Sequence, residues 1–309
     1  MHDERPMNTP PLSTASLPPY SFTNVWGLGW SRWRTSFLPL FLGTLILAAV
    51  NVPMQLQSLA NIPAVIVNTK ASESAEAAER LKAASAAASG ISGIFGCFAG
   101  IWGIFVALPI LAGFVWMGVQ AARGVVPEVG SILQGYRRFP TVLGGLVLSA
   151  IILLVPYLLA ISVALPLLLS QSDWDINQLG QLMRTQDTWD GGFIAALIIA
   201  AVWIAVCVVV IYWIGIRLMM WLPIAVDEVG PRRGAWASIN RSWHITRGSA
   251  LSLFGLLFTA SLMAAFTVVL CCVPYFVVGL PLYITLFGLA YAMLSQQETA
   301  RDAAASPAQ

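Results

Sequence analysis

Charged side chains are scarce in this chain. Of its 309 residues, 16 are Lys or Arg and 14 are Asp or Glu, or 10% together, against roughly a quarter in soluble domains. So few charges cannot cover a water-facing surface, and 58% of the residues are hydrophobic, with a mean hydropathy of +0.78. The solvent this composition implies is largely lipid. A net charge of +2 supplies no basic field, which argues against a nucleic-acid partner. Cysteine is rare too: Cys97, Cys207, Cys271 and Cys272 all lie inside apolar runs, with no CxxC pair and no Cys/His spacing suited to zinc. They read as small buried apolar residues. P-loop, Gly-x-Ser-x-Gly and His-Glu-x-x-His patterns are absent as well. The first 24 residues are rich in proline and polar groups and lack an apolar core, so a cleavable signal peptide is not expected there. That stretch and residues 296–309 are expected to be disordered tails around a membrane domain at 25–295.

What the chain does have is long apolar runs. A spanning helix needs about 20 mainly apolar residues, and six runs qualify, at about 36–57, 91–120, 141–169, 192–220, 250–272 and 274–294. The expectation is an all-α polytopic membrane protein whose six transmembrane helices form three hairpins. With both termini in the cytosol, 12 basic residues fall inside and four (Lys70, Arg80, Lys82 and Arg184) outside, which follows the positive-inside rule. A cell membrane of that polarity is the expected location.

The first outer segment, "KASESAEAAERLKAASAAAS" at 70–89, is dominated by alanine and is expected to be helical. Beyond it, Gly93, Gly96 and Gly100 recur at helical spacing. Such a face lets a second helix come close, either within the same bundle or from a second copy in a homo-oligomer.

The inner joints repeat. "VPEVG" at 126–130 corresponds to "VDEVG" at 226–230, and "SILQGY" at 131–136 resembles "SINRSW" at 238–243. A looser third copy, "GWSRWRTSFLPLFLG" at 29–43, matches Trp30 with Trp243 and Arg34 with Arg247. Each hairpin is thus preceded by a short segment holding an aromatic residue and one or two arginines. As helices these segments can lie in the membrane interface, with rings at headgroup level and arginines on anionic lipid headgroups. The candidates for such anchoring are Trp30, Arg34, Tyr136, Arg137, Arg138, Trp236, Arg241, Trp243 and Arg247, with Trp236, Ile239 and Trp243 sharing one stripe.

"RLMMWLPIAVDE", followed by "GAWASINRSWHITRG" and an apolar "LFGLL", resembles the pattern of a broad set of bacterial six-span integral membrane proteins. That set includes the membrane domain attached to some glycerophosphoryl diester phosphodiesterases. The resemblance centres on residues 218–255 and implies a fold and a membrane location. It does not imply hydrolysis, because the catalytic part of those enzymes is a separate soluble barrel.

Chemistry finds little to work with. His244, Asp227 and Glu228 make at most two carboxylates and one imidazole, whereas a metal site takes three or four ligands. Glu128 and Glu228 occupy equivalent repeat positions and are expected to pair with joint arginines, such as Arg138 for the first and Arg232 or Arg247 for the second. Transport would call for polar groups at mid-membrane. Only Asn51, Gln55 and Gln120, with kinks at Pro109, Pro156 and Pro166, hint at a cavity. The sequence therefore leads to a non-enzymatic, cofactor-free, membrane-organising or accessory protein, with a carrier of lipids or other amphiphiles as the alternative.

Overall fold

The computed structural model describes residues 17–60, 93, 96–170, 191–227, 234–270 and 274–305. Among them there are helices and turns but no strand. Helix α1 (Phe22–Thr35) precedes the first long helix, α2 (Phe37–Ala60). A π-turn at Gly103–Ala107 feeds α3 (Leu108–Ala122), and a 3₁₀ turn at Val129–Leu133 leads through α4 (Gln134–Arg137) into α5 (Phe139–Leu169). Then come α6 (Gly191–Leu218), α7 (Trp221–Val226), α8 (Ala235–Ile245) and α9 (Ala250–Leu270). A second π-turn, Tyr275–Gly279, opens α10 (Leu280–Ala305).

Among the described residues, six helical stretches are long and apolar enough to cross a bilayer: Phe37–Gln55, Gly96–Ala122, Phe139–Leu169, Gly191–Val226, Ala250–Thr267 and Tyr275–Ala304. Their number and order agree with the expectation; two of their ends do not. The fourth continues through α7 to Val226, and the last runs well past 294 into the tail expected to be disordered. Alanine, glutamine and glutamate there are good helix formers, and docking holds them: Gln296 Oε1 accepts from the Leu17 N–H at 3.0 Å. The amino-terminal tail is likewise ordered earlier than expected. Ser21 caps α1 through its Oγ, which accepts from the Asn24 N–H at 3.2 Å, and Val25 and Gly29 are buried. The alanine-rich stretch at 70–89, the loop at 171–190 and Cys271 and Cys272 lie outside the described residues.

Burial divides the spans by role. In the most apolar stretch of α10, 78% of residues are buried, against 17% for α5 and for the α6–α7 stretch. α10 is therefore the central helix, and α5 and α6 pair at the flank with most of their apolar side chains facing outward. Trp203 Nε1 donates to the Leu159 carbonyl at 3.2 Å across that pair, and Trp102 Nε1 donates to the Val50 carbonyl at 2.7 Å, holding the second span against α2.

Small residues set the closest packing, though not where the Gly93–Gly100 spacing points. A Cβ on Gly288 would lie 2.5 Å from the Gly118 carbonyl carbon, and one on Gly118 would lie 2.6 Å from the Ile284 oxygen. α3 and α10 therefore touch backbone to backbone. The joint after α3 folds back along it, with Gly113 against the Ile132 carbonyl and Gly135 against that of Pro109. Gly93 and Gly100, by contrast, have open space where a Cβ would go. A residue-spacing pattern records which face is small but not which partner arrives there.

Candidate functional site: the joint end of the bundle

α7 is buried at Trp221, Pro223, Ile224, Ala225 and Val226, and it ends at Asp227. α3 ends in a glycine cap. Gly124 has φ +83, its N–H bonds to the Ala121 carbonyl at 3.0 Å, and the Val125 N–H bonds to that of Gln120 at 3.0 Å. These two helix ends bring Arg123 and Asp227 together. Arg123 Nη1 and Nη2 donate to Asp227 Oδ1 and Oδ2 at 3.0 and 2.6 Å, a bidentate pair of the strong kind. The Tyr291 hydroxyl, from α10, donates to the same Oδ2 at 2.6 Å, and the guanidinium lies 5.7 Å from the Trp116 ring. One carboxylate thus fastens the ends of the second and fourth spans to the central helix. With its lone pairs committed to a guanidinium and a phenol, Asp227 is poorly placed to act as a base.

α8 is fixed in a similar way. Its buried residues are Ser238, Ile239, Ser242 and Ile245, so Ile239, expected on the outward stripe with Trp236 and Trp243, turns into the bundle. Serines allow a closer approach than tryptophans, and Ser242 Oγ donates to the Arg217 carbonyl at 2.6 Å. Trp236 stays 67% exposed. Arg241, expected to reach for lipid headgroups, instead donates from Nε to Glu298 Oε2 at 2.9 Å and from Nη2 to Ser295 Oγ at 3.3 Å. The partner was invisible in the sequence because it lies in the tail read as disordered. His244 is exposed and lines a small cleft with Gln297, Arg301 and Asp302.

The remaining anchor candidates keep outward faces. Trp30 is exposed, with the Arg34 guanidinium 5.3 Å from its ring. Tyr136, Arg137 and Arg247 are exposed, and Arg138 is half-buried. Glu128 is exposed and its carbonyl accepts from the Ser131 N–H at 2.9 Å, but among the described residues it forms no ion pair with Arg138 or any other cation. Ten residues separate Glu128 from Arg138, and the 3₁₀ turn at Val129–Leu133 intervenes. Glu228, Arg232 and Arg233 lie outside the described residues.

Arg217 stands outside the anchor candidates named from the sequence. Its guanidinium lies against two rings on one side, 4.6 Å from Trp213 and 4.9 Å from Trp243, which meet each other edge to face at 5.3 Å. Its Nε is buried without a hydrogen-bond partner. Beside it a groove of 740 Å³ runs between α6 and α9, walled by Val209, Tyr212, Trp213, Ile216, Leu251, Phe254 and Phe258. The only signal in the sequence was the Trp-x-x-x-Arg spacing of residues 213–217, which stacks ring and guanidinium on one helix face.

Fold and joint together define a polytopic helical membrane protein whose joint end is fastened by the Arg123–Asp227 and Arg241–Glu298 pairs. No family model matches the chain, and neither the curated proteins nor the solved structures hold a similar one.

Proposed function

We propose that this protein is a non-enzymatic integral membrane protein that organises the lipid around it, with both termini and all joints on the cytosolic side. The observation that carries the reading is the division of labour among polar groups at the joint end. Asp227, Arg123, Tyr291, Arg241 and Glu298 are spent on fastening helices to one another. Trp30, Arg34, Tyr136, Arg137, Trp236 and Arg247 face outward. Aromatic rings and arginines at a bundle's rim suit the headgroup layer, where each basic residue near an anionic leaflet contributes about 1 kcal/mol. The likeness of residues 218–255 to six-span bacterial membrane proteins supports the same location. The positive-inside count of 12 against four supports the orientation.

A lipid carrier is the competing reading, favoured by the groove between α6 and α9. The two separate in proteoliposomes that contain a fluorescent phospholipid quenched by a membrane-impermeant reductant. An organiser leaves the protected inner-leaflet fraction near one half, as in protein-free vesicles. A fraction that falls toward zero as protein is added would replace the organiser by a carrier.

A further inference from the structure

The groove between α6 and α9 has a polar end and an apolar end. Arg217 and Gly248 stand at one end, Val209 and Phe258 at the other. From Val209 to Arg217 the helix rises about 12 Å, and half the hydrocarbon thickness of a bilayer is about 15 Å. The groove therefore spans about the depth of one leaflet. Its rims are side chains that face outward from the bundle, among them Val209 (68% exposed), Tyr212 (63%) and Leu251 (83%), so it opens sideways into lipid.

Among the described residues, the cation at its polar end has no counter-ion. Arg217 forms no ion pair among the described residues, and no acidic side chain lines the groove. Trp213 and Trp243 cover the guanidinium and hold it in place, and the buried Nε is left without an acceptor. Arg217 itself lines the groove, so an acceptor seated there can meet its other N–H groups. Exposed Arg247 directly precedes Gly248 of the groove wall and adds a second positive charge near the mouth.

We propose that this groove binds one anionic phospholipid. An acyl chain lies between α6 and α9 against Phe254 and Phe258, and the phosphate accepts hydrogen bonds from Arg217. The proposal rests on the reading of the protein as an organiser of lipid, and it names the lipid class and the place.

The test is lipid retention by the full-length protein, purified from nanodiscs containing equal phosphatidylglycerol and phosphatidylcholine and analysed by native mass spectrometry. One basic residue is worth about fivefold in affinity for an anionic headgroup. Wild-type protein is expected to retain phosphatidylglycerol about fivefold over phosphatidylcholine. Arg217→Gln should abolish that preference and Arg217→Lys should keep most of it. Leu251→Trp, at the exposed mouth, should lower retention of both lipids without disturbing the core, and serves should the Arg217 variants fail to fold. An unchanged preference in Arg217→Gln, or unchanged retention in Leu251→Trp, overturns the site. Displacement of the lipid by millimolar inorganic phosphate alone would show a phosphate site rather than a lipid one. Because retention and transbilayer movement are read separately, failure here leaves the organiser reading standing, and movement with the lipid preference retained would do the reverse.

Discussion

Asp227 has two described partners of different kinds, and removing either has a different consequence. Asp227→Ala leaves the Arg123 guanidinium, whose side chain is only 17% exposed, without its bidentate partner. Breaking a buried pair from one side costs 3–5 kcal/mol, and the remaining water contact places this one near the lower bound, about 3 kcal/mol. Tyr291→Phe removes one hydrogen bond to a charged group and should cost about 2 kcal/mol. The double variant Arg123→Met/Asp227→Leu should be more stable than Asp227→Ala alone, because no charge is stranded. Thermal unfolding in detergent measures all three. A double variant less stable than Asp227→Ala would mean the pair contributes more than mutual neutralisation.

Helix contacts make a sharper comparison, since glycines of the same residue type sit in opposite surroundings. Gly288→Ala pushes a methyl into the Gly118 backbone of α3, which cannot rotate away, and should cost 1–3 kcal/mol by overpacking. Gly100→Ala meets nothing within 4 Å and should be neutral or slightly stabilising. Unfolding temperatures of the two variants, measured side by side, decide whether α3 and α10 touch as described. The helices themselves were legible in the sequence, because unbroken apolar runs of this length have few other stable forms. The α3–α10 contact was not. Gly118 and Gly288 are single glycines 170 positions apart, and no local period links them.

For the molecule as a whole, orientation is the property most open to test. Thr299 is exposed on α10, beyond the Arg241–Glu298 pair. In a Cys97→Ser background, since Cys97 is itself exposed, Thr299→Cys should resist an impermeant maleimide added to intact cells and react fully after lysis. Labelling in intact cells would invert the proposed topology. Ser238, which shares the joint, is fully buried and would stay silent on either side, so it cannot serve for this purpose.

The opening shortage of charge determined the solvent, and the apolar runs determined the number and order of the spans, because backbone polar groups in lipid must pair within a helix. Both follow from local composition. Tertiary structure alone decided what the few charges do. It joined Asp227 to Arg123 and Tyr291, took Arg241 to Glu298 in a tail expected to be disordered, and set Arg217 against two tryptophans with no counter-ion among the described residues. Pairing of charges depends on which helix ends meet in space, and in a bundle those meetings are set by side-chain volume along whole helix faces rather than by any neighbour in the chain.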